Sequence, residues 1–426
     1  MRLDEKAVEA LKEGFVCDNC LGRIVANLLS GFSNKKRGEI IRNYLAFLID
    51  SGEKVDADLN NFYGIKFRNV KLNIKKPDKC KICKNFFLEE IDRVAVEIAK
   101  ELKGVEFKTF LIGSVPTDEM SREEERIYEK IGTDFVEPIK SEINRELGKR
   151  VESNTDKICS QRNSDVTILV NLKTGRIKNE IRSLYIFGKY NKLVRGIPQT
   201  KWVCSSCHGK GCIKCKGTGK LYSTSIQEII EKPLLKVADA KKSAFHAAGR
   251  EDIDARCLDF RPFVIELIRP LKRKIYLKEI QKKINKSKKV KVKSLKFSTK
   301  EMILRLKTER IDKTYAAEIE FEKKIDRKKL EELKRLVSEP ILQKTPLRVV
   351  HRRADKFRKR LVKKISWKLI GDKKMILKVR AESGLYIKEL ISGDQGRTRP
   401  SVSELIINKP KKIKLDVIKI HTRGYK

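Results

Sequence analysis

Eight of the ten cysteines fall into four Cys-x-x-Cys pairs: Cys17/Cys20, Cys80/Cys83, Cys204/Cys207 and Cys212/Cys215. Such a pair sets two thiolates on one face of a tight turn, and two pairs complete a tetrahedral four-sulfur shell for zinc. Cys20 and Cys80 are 60 positions apart, so pairing the first two turns ties the start of the chain to a later helical block. The last two pairs are almost contiguous, and the glycines at 209, 211, 217 and 219 let the backbone double back with its amides facing sulfur. A closed four-thiolate shell has no exchangeable position, so both sites are expected to hold structural Zn2+. Residues 1–11 carry no secretory pattern, which favours zinc over disulfides and a cytoplasmic location. Cys159 and Cys257 read as ordinary semi-buried thiols.

The charge names the partner class. Lys plus Arg number 99 against 57 Asp plus Glu, a net charge of +42. An excess of this size calls for a polyanion, with counterion release and steep salt dependence. No apolar run is long enough to span a bilayer, which favours nucleic acid over a membrane. Residues 269–300 hold 14 basic residues and one acidic residue, and 352–364 hold eight against Asp355. Nothing in the pattern calls for an obligate protein partner.

Hydrophobic periodicity gives a multidomain α+β reading. Apolar residues at helical spacing predict helices over 4–14, 21–30, 35–49, 85–103 and 138–147. Strands are expected over 105–112, 166–172 and 184–187, with 117–132 a polar acidic segment. An accessory region thus spans 1–197, with a mixed α/β module over about 55–197. The Gly/Cys/Lys-rich stretch 198–222 reads as a knuckle and hinge. Residues 223–426 form a strand-rich domain: a helix over 225–242, strands near 262–268, 290–297, 314–321, 365–370 and 375–379, and helices near 327–338 and 386–391.

One segment has the composition of a reactive site. Gly249-Arg250-Glu251-Asp252-Ile253-Asp254-Ala255-Arg256 packs charge between small residues and an apolar strand. If extended, it places Arg250, Asp252 and Asp254 on one face, where an arginine keeps a carboxylate ionised and oriented. Such a carboxylate can serve as a nucleophile at an anomeric carbon. Paired acidic loop residues are also common without any catalytic role.

This segment, with Arg261-Pro262-Phe263 after it, resembles the active-site signature of the THUMP-bearing tRNA pseudouridine synthases of archaea and eukaryotes. The blocks Pro198–Trp202, Lys313-Thr314-Tyr315, Gly384–Asp394 and Gly396–Ser401 also resemble that family's, in the same order along nearly the whole chain. The resemblance implies isomerisation of uridine to pseudouridine at positions 54 and/or 55 of the TΨC arm. It puts Asp252 at the catalytic aspartate and Tyr315 and Tyr386 at the tyrosines that contact the target nucleotide. Ile387, Lys388 and Leu415 would line the pocket or RNA path, and Arg250 would pair with Asp252 or a phosphate. It further implies a THUMP-like RNA-binding module before residue 197, a catalytic domain with a mixed, largely antiparallel sheet, tRNA as partner and no organic cofactor. Leu258-Asp259-Phe260-Arg261 departs from the family's glycine-containing link.

Other readings are separable. A non-catalytic zinc-ribbon RNA-binding or assembly protein would explain the charge and cysteines and leave Asp252 dispensable. The tandem Cys-x-x-Cys-x-Gly-x-Gly repeat resembles that of the J-protein chaperones, but the His-Pro-Asp tripeptide is absent. A THUMP-bearing methyltransferase or thiolation enzyme would need a nucleotide or cofactor fold, and neither a Gly-x-Gly-x-x-Gly turn nor a P-loop is present. A glycosidase would need carboxylates flanking a bond, whereas Asp252 and Asp254 would share a face.

Overall fold

The computed structural model describes residues 2–422 and 424 and divides into two units, Met1–Arg182 and Ser183–Lys426. The division precedes residue 197 because the strand expected at 184–187 belongs to the second unit's sheet.

In the first unit, helices Leu3–Leu11, Asp18–Arg23 and Asn34–Asp50 surround the first two cysteine turns. The latter two helices cross at Gly22 and Gly38, where an added Cβ would lie 1.8 Å from the Asn34 carbonyl oxygen and 2.0 Å from that of Asp18. The helix expected over 21–30 ends at Arg23, whose buried guanidinium donates to the Glu137 carbonyl at 3.0 Å. The segment 117–132 proves to be a helix, Asp118–Ile131. Thr117 caps it, Asp118 and Glu119 suit its positive N-terminal end, and Gly132 stops it at a φ of 75°. Strand β1 (Thr109–Val115) lies between β2 (Ile158–Cys159) and β3 (Val166–Asn171), parallel to both, and β4 (Arg176–Ile181) runs antiparallel to β3. Helices Ile91–Glu101 and Ile139–Thr155 pack with this sheet.

The second unit holds β5 (Leu184–Lys192), β6 (Lys242–Ala247), β7 (Arg256–Ile268), β8 (Val290–Ser298), β9 (Lys313–Phe321), β10 (Ile341–Lys344), β11 (Phe357–Arg360), β12 (Val362–Gly371), β13 (Lys374–Ala381), β14 (Thr398–Arg399) and β15 (Pro410–Ile420). The large sheet runs β12-β13-β9-β15-β7-β5-β8, with β6 also on β7, and among the described residues only β15 and β7 pair in parallel in it. A small sheet runs β11-β10-β14. Two-residue periodicity sets which face is buried: on β13, Met375, Leu377, Val379 and Ala381 point inward while Lys374 and Lys378 face solvent. Leu330, Leu333, Leu336, Leu390 and Val402 bury against that inner face, each contributing about 1.5–3 kcal/mol of apolar burial.

The geometry of β7 creates the cleft. Its later half pairs with β6 from Ile268 back to Phe263, and its first residues, Arg256 and Cys257, pair with Asp416 and Val417 of β15. The connection 248–255 therefore emerges where β7 leaves one neighbour for another. The 258–261 stretch is part of β7, so its lack of a glycine leaves no break in the strand.

Candidate active site

The loop 248–255 is a turn, not the extended strand that alternation suggested. Gly249 sits at a φ of 81°, where a Cβ would meet the Arg261 guanidinium at 3.2 Å, and the Ala255 amide closes a turn on the Asp252 carbonyl at 3.1 Å. The backbone is held on every side. Buried Lys192 donates to the carbonyls of Asp252 at 3.1 Å and Ile253 at 2.8 Å, and the Gly196 amide donates to Ile253 at 2.9 Å. Arg195 donates at 2.7 Å to both Asp254 and Leu415 carbonyls, Gln199 donates to Gly249 at 3.0 Å, and Arg261 donates to Ala248 at 2.8 Å. Arg256 and Asp416 then pin the start of β7 through contacts of 3.1 and 2.7 Å.

Two adjacent carboxylates meet opposite fates. Glu251 turns into the protein, where it pairs with fully buried Arg261 at 3.1 Å and accepts from Tyr190. Asp252 turns into a cavity of about 840 Å³. Its Oδ1 accepts from Arg348 at 3.0 Å, and Lys388 Nζ lies 3.5 Å from Oδ2. Arg348 is itself oriented by buried Glu389, at 2.6 Å from Nε and 3.4 Å from Nη2. Lys388 also donates to both oxygens of Asp254 at 2.7 Å, which draws that carboxyl below its ordinary range against partial burial. Asp252 is thus held between two cations, one of them braced, with its side chain 31% exposed.

Every site residue expected from the sequence outside the cysteines lines this one cavity: Arg250, Asp252, Tyr315, Tyr386, Ile387, Lys388 and Leu415. One pairing is corrected. Of the two partners expected for Arg250, Asp252 is taken by Arg348 and Lys388, while Arg250 is exposed, makes no ion pair among the described residues and lines the cavity, where a phosphate could meet it. Tyr315 stands half-buried on β9, opposite Val379 and Val417, and burial pushes its phenol up to about 12. The backbone of Tyr386 is clamped by buried Gln343, through bonds of 2.8 and 3.1 Å, and its hydroxyl accepts from Arg353 at 2.6 Å. Arg348, Lys192 and Gln343 lie outside the blocks that resemble the family's, and Glu389 and Lys313 lie inside them without an expected role. Lys313 lies in the cavity floor, where burial and then the charge of Arg261 pull its ammonium down to about 8.

The cysteines also converge as their spacing predicts. In each group of four, the sulfurs all lie within 4.8 Å of one another. The Cys17–Cys83 separation is 3.6 Å, and Cys204–Cys212, Cys207–Cys215 and Cys212–Cys215 are 3.9, 3.8 and 3.7 Å. A tetrahedral zinc with bonds of about 2.3 Å requires sulfur–sulfur edges of about 3.8 Å. Amides of Cys17, Gly211, Cys212 and Gly219 donate to the sulfurs at 3.2 to 3.3 Å, as thiolates demand. Both groups could therefore hold zinc. Among the described residues no helix is long and apolar enough to cross a membrane.

Two family profiles match: one described as Pus10, C-terminal, over residues 185–421, and one described as Pus10 THUMP domain, archaeal, over residues 94–171. The first begins close to the structural division, and the second falls inside the α/β module expected over 55–197. The tRNA pseudouridine synthase Pus10 of Methanothrix thermoacetophila is 39% identical over 97% of this chain and 93% of its own length. The protein of the same name from Methanopyrus kandleri is 40% identical over 98% of both chains. A solved Cbf5-Nop10-Gar1 complex matches 55% of this chain and 48% of that one at 13% identity, with a TM-score of 0.29, too low to bear on the fold. An α+β chain with a THUMP domain and a carboxylate-bearing cleft is the architecture of an RNA-modifying enzyme. This chain belongs to the Pus10 family, whose curated members are named tRNA pseudouridine synthase, an isomerase.

Proposed function

We propose that this protein isomerises uridine to pseudouridine in the TΨC arm of tRNA, at position 54, 55 or both, with Asp252 as nucleophile. The observation that carries the reading is the placement of Asp252: a carboxylate facing a nucleotide-sized cavity, fixed by Arg348 and Lys388 on a loop whose backbone is tied down along its length. The target base must leave its stack to reach it, and Tyr315 offers a face on which the extruded base can rest.

The chemistry conserves atoms. A carboxylate oxygen of Asp252 attacks C1′, the C1′–N1 bond breaks, and its electron pair remains on the uracil. The uracil rotates to present C5, a C1′–C5 bond forms, and the bond from C1′ to Asp252 returns its pair to the carboxylate. C5 loses its proton and N1 gains one. Negative charge develops on the departing uracil, and the cations around the cavity oppose it. No redox partner or group donor is required. Zinc at the two four-cysteine groups would take no part in the bond changes, and the basic runs 269–300 and 352–364 would contact phosphates.

Carbodiimide-blocked primer extension on an unmodified tRNA transcript tests this reading. Stops in the TΨC arm are expected with the wild-type protein and not with Asp252→Asn. Transcript binding without pseudouridine on several tRNAs would replace it with the zinc-ribbon RNA-binding reading.

A further inference from the structure

We propose that the knuckle 204–216 is a rigid RNA-contacting tip of the catalytic unit, with Ile213 against an unstacked base and Lys210, Lys214 and Lys216 on phosphates. This rests on the reading of tRNA as substrate, and it gives the second four-cysteine group a role in substrate recognition.

Ile213 is 98% exposed, more than any other large hydrophobic residue described. It opens the short turn Ile213–Cys215, between two of the clustered sulfurs, so it cannot fold back into a core. The turn is stiff. Cβ atoms at Gly211 and Gly219 would lie 2.7 Å from the Gly217 carbonyl oxygen and 2.4 Å from that of Gly209, so the backbones pack too closely for any other residue. A preformed tip loses little entropy on docking.

The surroundings select the partner. Residues 201–222 contain five lysines and neither aspartate nor glutamate. Lys220 is paired to Glu228, whereas Lys201, Lys210, Lys214 and Lys216 are exposed and make no ion pair among the described residues. Four thiolates on a divalent ion carry a net charge of about −2, which four lysines exceed. A protein partner would favour an apolar patch depleted of lysine. An apolar side chain among lysines suits nucleic acid, where such wedges separate stacked bases and zinc knuckles serve as RNA modules.

The position is also suitable. Trp202, at the foot of the knuckle, lines the same cavity as Asp252. The stem is closed by the Leu221 amide on the Trp202 carbonyl at 3.0 Å, by the Val203–Lys220 bridge, and by Tyr222 edge-on to Trp202 at 5.7 Å. The tip therefore stands on a braced stem rooted at the cleft wall.

The test compares full-length, zinc-loaded wild type with Ile213→Asp and with Lys210→Gln/Lys214→Gln/Lys216→Gln, zinc content being measured in each. Both variants alter only exposed side chains. Transcript binding is followed across a salt series, and pseudouridine formation at sub-saturating tRNA. The triple variant is expected to flatten the slope of log Kd against log salt by about 2–3. Ile213→Asp is expected to lower kcat/KM about tenfold through KM. A wild-type slope and a wild-type KM in zinc-replete variants overturn the proposal. If the wild type itself forms no pseudouridine, the substrate reading fails, and the salt slopes alone decide whether the knuckle touches RNA.

Discussion

The two four-cysteine groups share a chemistry and differ in what they hold together. Cys17, Cys20, Cys80 and Cys83 are all buried, and their sulfurs join turns far apart in sequence to a packed helical layer. The second group spans only 204–215, with Cys207 and Cys212 partly exposed, and none of its sulfurs belongs to the cores under the large sheet. The first is a keystone for its unit. The second stiffens a projection from its unit. The same ligand set thus contributes to global folding in one place and to the shape of a surface in the other.

Cys80→Ser is expected to have the largest effect. Metal binding at a buried site is folding free energy, on the order of 10 kcal/mol for structural zinc. The variant should lose zinc from that group and leave 1–182 open to limited proteolysis, while 183–426 stays resistant. Equal resistance of both units would remove the distinction.

Around the first group lies a polar network that should also respond to pH. Glu142 is almost fully buried, accepts from Asn19 at 3.0 Å and from Asn34, and pairs with Arg145 at 2.8 Å, yet burial pushes its carboxyl up to about 7. A raised carboxyl means that the native state holds a proton the unfolded state has lost between the ordinary glutamate range and about 7. This contribution is full at low pH and is lost as pH rises through about 7. Glu142→Gln should therefore gain stability relative to wild type as pH climbs from about 5 to 8, on the order of 2–3 kcal/mol in denaturant titrations. An unchanged difference across that range would place the proton elsewhere.

Cys212→Ser should have the smallest effect on folding. Its zinc should be lost, but the main unfolding transition of the second unit should shift by no more than about 1 kcal/mol, since no core side chain moves. A collapse comparable to that of Cys80→Ser would show that the knuckle is a keystone too.

The difference between the groups was only half visible in the sequence. Spacing grouped the cysteines in fours, because a Cys-x-x-Cys turn is local, but burial depends on what packs around it. The site divides in the same way. The motif around Asp252 and the residues Tyr315, Tyr386, Ile387, Lys388 and Leu415 could be named in advance and share a cavity. Arg348 could not, because it lies 96 positions from Asp252 within an unpatterned Leu-Arg-Val-Val stretch that carries no local signal of its partner. Strand alternation does not describe 250–254, because the chain turns at Ile253 and Asp254, with the Ala255 amide on the Asp252 carbonyl. The helix Asp118–Ile131 was missed because charged residues fill most of its positions, although its threonine cap and terminal glycine were there to read.

The central claim is that Asp252, and not its neighbour Glu251, makes and breaks the bond at C1′. Replacing H5 of the target uridine with tritium reports on this directly, because isomerisation must release it to water. Wild-type protein should release tritium from such a tRNA in proportion to pseudouridine formed, and Asp252→Asn should release none while binding the same transcript. Tritium release by Asp252→Asn at a rate near that of wild type would contradict the assignment.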